Sequence, residues 1–214
     1  MLTPRVLAQC ELIALEARAR LGLAAVDRLD PGALADYLRV EVQSIDAFRG
    51  SHPDEVRHLT QVRPMEFAAA MVPCGDRRRI LYNPAHPVEE RFYTLAHELA
   101  HLLLDHEATP LFDEFLKRRL NPVEEAEADY LAGALLVPRI GVAHVMRQYD
   151  NDLTQAARHY GVSRALLRAR LEATRPAESV SRVGRALESE LARWEANPPA
   201  GAGEEPAPQA PTTG

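Results

Sequence analysis

The sequence predicts an α+β fold, mostly helical with a small antiparallel or mixed sheet. Three observations predict it. Apolar residues recur every three or four positions along several stretches, the spacing of amphipathic helices. Strand-like runs are short and confined to about 40–83. Helix punctuation is frequent: Asp30-Pro31, Asn121-Pro122 and Asp152 read as helix starts, and Gly22, Pro138 and Gly161 as stops.

The 214 residues allow one good-sized domain with an appendage, and a hydrophobic fraction of 46% is ordinary for a globular core. A net charge of −6 gives no global argument for nucleic-acid or membrane binding. Lys117 is the only lysine, so the positive charge is almost all arginine. Cys10 and Cys74 are far apart and outside any CxxC pair, which predicts no disulfide framework and suits a reducing compartment. The N-terminus has acidic residues among its apolar ones and does not read as a signal peptide. No run approaches the ~18 apolar residues of a membrane span. A soluble cytoplasmic chain without membrane contact is expected.

Taken in order, 5–21 has helical spacing through Val6, Leu7, Cys10, Ile13, Ala14, Ala17 and Leu21. A short helix over 31–39 opens with Asp30 as N-cap and Pro31 in the first turn. Val40 to Ile45 alternates strictly and reads as a strand. The polar stretch 49–63 reads as loop. Met65 to Val72 and Arg79 to Asn83 read as a hairpin about the turn Pro73-Cys74-Gly75-Asp76. A helix is expected from about Val88 to Leu104, packing through Phe92, Leu95, Ala96, Leu99, Leu102 and Leu103, with Leu104 on the other side as a pocket-lining exception. Asn121 caps the next helix, with Pro122 in its first turn, Glu124 as capping-box acid, and Pro138 as its end. Helices follow over 140–149 and on either side of Gly161, the last capped by Ser163, and an amphipathic candidate spans 179–195. The proline-rich end from Asn197 is expected to be disordered.

His97-Glu98-Leu99-Ala100-His101 lies in the first of these long central helices. Residues four apart share a helix face, so His97 and His101 can grip one ion, and H-E-x-x-H is the zinc pattern in which the glutamate is the general base. A catalytic zinc takes three protein ligands and leaves one position open. The extended H-E-x-x-H-x-x-G-x-x-H pattern is excluded, because Leu104 and Glu107 stand at its glycine and third histidine. The helix after Asn121 supplies the third ligand. On its wheel Glu125 and Asp129 are collinear with Ala132 and Leu136, on the inward side. Glu125 is therefore the expected ligand, and Asp129 the acceptor that holds a ligating histidine in one tautomer. Glu127 points away and reads as solvated; Glu124 is occupied with capping. Zinc lowers the pKa of water from ~15.7 to about 7, and Glu98 accepts its proton. Tyr93, Tyr130, His106 and His144 all remain open as oxyanion donors. H-E-x-x-H alone arises by chance in many sequences; the apolar face of its helix and the acid pair on the next lift this one above chance.

With RFYTLAHELAHLLLDHE (91–107), EEAEADYLAGALLVP (124–138) and ILYN (80–83), the chain resembles the ImmA/IrrE family of bacterial metallo-endopeptidases over roughly 35–140. The segment 150–172 resembles the helix-turn-helix-like stretch that often follows. Asp129 departs from the family, which usually has asparagine there; either accepts a hydrogen bond. The resemblance implies a zincin-like, gluzincin-like fold, a Zn2+ cofactor and an intracellular role in transcription regulation or stress response. Relatives cleave a DNA-binding repressor, so the expected partner is a helix-turn-helix repressor. The implied organisation is an N-terminal helical segment over 1–34, a zincin-like core over 35–140, a helix-turn-helix-like segment over 141–175, a C-terminal helix over 176–196 and the tail 197–214.

DNA contact by Arg158, Arg164, Arg168 and Arg170 is the disfavoured reading of the 153–173 stretch, given the acidic chain; a helical hairpin packed on the core, or a protein-binding surface, is favoured. The rival to a zinc endopeptidase is a regulatory or interaction protein, antitoxin-like or DNA-associated, that keeps the metal-site fold without proteolysis. His52, His58, His86 and His159 read as solvated, and Trp194 as a packing or docking residue.

Overall fold

The computed structural model describes residues 2–75, 77–106 and 121–174. Its helices are α1 (Pro4–Arg20), α2 (Pro31–Tyr37), α3 (Pro53–Arg57), α4 (Val88–Leu103), α5 (Pro122–Leu136), α6 (Arg139–Gln148), α7 (Leu153–Tyr160) and α8 (Arg164–Thr174). Three strands, β1 (Glu41–Ser44), β2 (Ala69–Cys74) and β3 (Arg77–Tyr82), form one sheet in the order β1-β3-β2. The chain is thus α+β, mostly helical with a small mixed sheet. None of the described helices is long and apolar enough to cross a membrane.

The helix boundaries follow local chemistry. Asp30 accepts from the Gly32 amide, Asn121 from that of Val123, and Asp152 from those of Thr154 and Gln155, each satisfying N–H groups that the helix leaves without partners. Gly161 ends α7 at φ 69°, a left-handed backbone conformation that calls for glycine. Ser163 accepts from the Leu166 amide and starts α8.

The stretch before α4 departs from the sequence reading. Residues 49–63 are not a plain loop: α3 runs into a π-helical turn, His58–Val62. Met65 lies in a 3-10 turn, and β2 starts later than expected and includes Pro73 and Cys74. Proline is tolerated because β2 is an edge strand, where a missing N–H costs no ladder bond. β2 pairs antiparallel with β3, and β1 pairs parallel with it, Val42 opposite Ile80.

One hydrophobic core joins these parts. Cys10 and Ala14 of α1, Ile80 of β3, Leu99 of α4, Leu131 and Leu135 of α5, and Tyr160 and Leu167 near the C-terminal end share it. Leu104 packs partly buried against it. α5 lies against both α4 and α1, which is what aims its N-terminal half at the motif helix. Val162 and Leu167 bury α7 and α8 in the same core. Arg170, one of the arginines considered for DNA, is buried: its Nη2 meets Glu11 Oε1 at 2.5 Å, and its Nε donates to the Val137 carbonyl at 2.9 Å. Arg158, Arg164 and Arg168 are exposed. The 179–195 candidate helix, Trp194 and the 197–214 tail lie outside the described residues.

Glu11 also accepts from the Tyr130 hydroxyl at 2.9 Å and from the Arg139 amide at 3.2 Å, so α1 is tied to α5, α6 and α8 by one carboxylate. Glu11→Ala leaves a buried, unpaired guanidinium and is expected to cost about 3–5 kcal/mol. Urea unfolding checks this, with a lower midpoint; adding Arg170→Met should recover much of the loss.

Candidate metal centre

α4 buries Leu95, Ala96, Leu99 and Ala100, which leaves His97 and His101 on the flank that meets α5. The two rings lie edge to face, centroids 4.8 Å apart, with their Nε2 atoms 3.1 Å apart. Glu125, in the first turn of α5, reaches them from across the helix interface. Its Oε2 is 3.4 Å from His97 Nε2, and its Oε1 is 3.6 Å from His101 Nε2. One ligand atom from each of the three residues lies within 4.8 Å of the others.

These distances fit one tetrahedral ion. Ligand atoms ~2.0–2.1 Å from a tetrahedral zinc are roughly 3.3–3.4 Å from each other. The proton arrangement fits as well. His97 Nδ1 sits 3.0 Å from Asp129 Oδ1, and Asp129 also accepts from the Tyr93 hydroxyl at 2.9 Å. An ionised carboxylate only accepts, so His97 carries its proton on Nδ1 and turns the Nε2 lone pair toward the cluster. Lone pairs of imidazole nitrogen and carboxylate oxygen converging this closely repel one another unless a proton or a metal cation stands between them.

Electrostatics agree. Burial disfavours the His97 imidazolium, but the hydrogen bond and charge of Asp129, with Glu98 and Glu125 behind, outweigh it and raise the pKa above the usual histidine value. The hydrogen bond from His97 in turn lowers the Asp129 carboxyl, against a smaller effect of burial. Burial and the Asp129 carboxylate push the Tyr93 phenol up, so it remains the donor. The site therefore stabilises positive charge.

Glu98 is 8% exposed. Its Oε2 accepts the Met71 amide at 2.9 Å, so the edge strand β2 fixes the carboxylate beside the histidines. Other expectations sort clearly. Tyr93 and His106 lie against the histidine pair, whereas Tyr130 is engaged with Glu11 and His144 is exposed on α6. Glu124 accepts from the Asn121 side-chain amide at 2.8 Å, not from its backbone as a capping box would have it.

Glu127 corrects the sequence reading. It is not a solvated residue: its Oε2 lies 3.2 Å from His106 Nε2, and His106 Nδ1 lies 2.9 Å from His101 Nδ1. A wheel of α5 alone places Glu127 away from the Glu125 line, but the chain leaving α4 curls back to meet it. The available signal was Asp105, a residue type that accepts a left-handed conformation after a helix end. His86 was also misread. It is buried, with Nε2 2.9 Å from the Pro64 carbonyl and 3.1 Å from that of Phe67.

A histidine pair on one helix facing a glutamate on the next, within a mostly helical fold with a small mixed sheet, marks a metallopeptidase-type domain. The family model described as the IrrE N-terminal-like domain (Peptidase_M78) matches residues 35–172, and the chain belongs to that family. No curated protein and no solved structure matches it significantly.

Replacing Glu125 with alanine should weaken the cluster's hold on an added divalent metal, with Zn2+ as the probe, by more than the ~10–100-fold typical of losing an outer hydrogen-bond partner. Competition with a chromophoric chelator measures this. Unchanged affinity would remove Glu125 from the ligand set.

Proposed function

We propose that this protein is a zinc-dependent endopeptidase with a zincin-like core, held by His97, His101 and Glu125, and with Glu98 as general base. The observation that carries the reading is the convergence of the two Nε2 atoms and the Glu125 carboxylate, with interatomic distances that suit a tetrahedral ion. Membership of a metallopeptidase family supports it. A zinc ion at this point would supply Lewis-acid polarisation of a peptide carbonyl and a lowered water pKa.

The chain's own residues do the rest. Glu98 is partly desolvated and oriented by the Met71 amide, so one carboxylate oxygen is committed to β2. The carboxylate accepts a proton from the attacking water and delivers it to the departing amine. Asp129 keeps the His97 ring turned and its Nδ1 protonated. Tyr93, held by Asp129, orients that carboxylate.

The proposed substrate is a DNA-binding transcriptional repressor or a similar regulator, cleaved inside the cell. This extends the likeness of the motifs at 91–107 and 124–138 to repressor-cleaving relatives. α7 and α8, resembling a helix-turn-helix, serve in this reading to contact that protein. The burial of Arg170 against Glu11 takes one arginine away from any DNA surface.

Glu98→Gln should lower cleavage by about 10²–10⁴-fold while leaving one zinc bound per chain. Co-incubation with helix-turn-helix repressors of the same genome, followed by gel electrophoresis and mass spectrometry, identifies the substrate. Every candidate repressor staying intact with zinc present would count against the substrate assignment. Full biological activity of Glu98→Gln would instead favour a non-proteolytic regulator.

A further inference from the structure

The metal-site reading explains three side chains and Asp129, but leaves a buried histidine and a half-buried acid beside them unused. The side chain of His106 is only 8% exposed, and that of Glu127 22%. The backbone has gone to some trouble to bring His106 there. Just past the end of α4 Asp105 has φ 54°, the Asp105 amide donates to the Leu102 carbonyl at 3.2 Å, and the His106 amide donates to the His101 carbonyl at 3.0 Å. This is the paired hydrogen-bond pattern of a Schellman cap, with an aspartate in the left-handed position that glycine usually takes. It reverses the chain and lays the His106 ring edge to face on that of His101, centroids 5.0 Å apart.

The order of protons along this chain follows from its end. The Glu127 carboxylate accepts, so His106 Nε2 donates to it across 3.2 Å. Neutral His106 then has its lone pair on Nδ1, and accepts from His101 Nδ1 across 2.9 Å. His101 is thereby left with its lone pair on Nε2, the atom that faces His97 and Glu125. The arrangement mirrors the other arm, where Tyr93 and Asp129 set His97, but it uses an imidazole as the link.

We infer that His106 and Glu127 are positioning residues: they hold His101 in its Nδ1–H tautomer and ring orientation, and so set how tightly the site retains its metal. This rests on the metal-site reading above. The imidazole link also joins the Glu127 carboxylate to His101, so its charge strengthens the ligand through a polarised hydrogen-bond chain.

The test uses the full chain, with zinc affinity read by chelator competition and with the thermal midpoint measured with and without zinc. His106→Ala should weaken zinc by about 10–100-fold. His106→Asn, which can offer an amide oxygen near the place of Nδ1, should recover most of that loss. Glu127→Gln, which keeps an acceptor but loses the charge, should weaken zinc by less than His106→Ala does. The rise in midpoint that zinc brings should shrink with the affinity, whereas a merely structural role would lower both midpoints equally and leave affinity unchanged. Should His106→Ala fail to fold, His106→Asn and Glu127→Gln carry the comparison. Wild-type affinity in His106→Ala, or equal loss in His106→Asn and His106→Ala, overturns the relay alone. A wild-type chain that binds no zinc overturns the metal site and the relay together.

Discussion

Two imidazole nitrogens 3.1 Å apart, with a carboxylate within 3.6 Å of both, form an arrangement that ordinary packing does not favour. Most of the described architecture serves to impose it. α4 sets the separation of the histidines, since one helical turn stacks them. α5 must lie across α4 at the right height for Glu125 to reach both. The α1 helix also packs on α5 through the shared core, and the Glu11 carboxylate ties α1 to Tyr130, Arg139 and Arg170. A buried ion pair adds little net stability, but it forbids alternatives, because any shift that parts Glu11 from Arg170 strands a charge.

The site is built in layers of hydrogen bonds, each fixing the next. Asp129 and Tyr93 set His97; Glu127 and His106 flank His101; Met71 on the edge strand orients Glu98. The small sheet thus has a role apart from the core. Its edge strand offers an outward amide to the carboxylate that follows the first histidine. Asn83, at the end of β3, donates to the carbonyls of Leu59, Pro64 and Phe67, and His86 bonds the last two of these, which anchors the segment leading into β2.

Legibility in the sequence varied with the range of the interaction. His97 and His101 were visible as neighbours because residues four apart share a helix face, and Glu98 was singled out by the motif they frame. Glu125 was visible because a wheel ranks the acids of α5, and it failed for Glu127 because a wheel knows one helix only. Glu11 and Arg18 shared a face of α1 with Cys10 and Ala14, and charged residues on an apolar stripe are a sign of buried partners. Arg18 finds the carbonyls of Ala24, Asp27 and Leu135, and burial pushes its pKa down to about 10. The sequence could announce such residues without naming whom they meet.

By itself, then, the sequence determined the longer helices, the N-caps Asp30, Asn121 and Asp152, and the chemical character of the candidate site, while α3 and the turns after it read as loop. The features it determined depend on neighbours within a turn or on periodicity along one element. Tertiary structure alone decided the strand order β1-β3-β2, the grip of Met71 on Glu98, the His106–Glu127 link and the Glu11–Arg170 bridge. Each of these joins residues 21 to 159 positions apart, or sets one strand beside another. Such contacts arise from how packed elements settle against each other, and no local pattern encodes that.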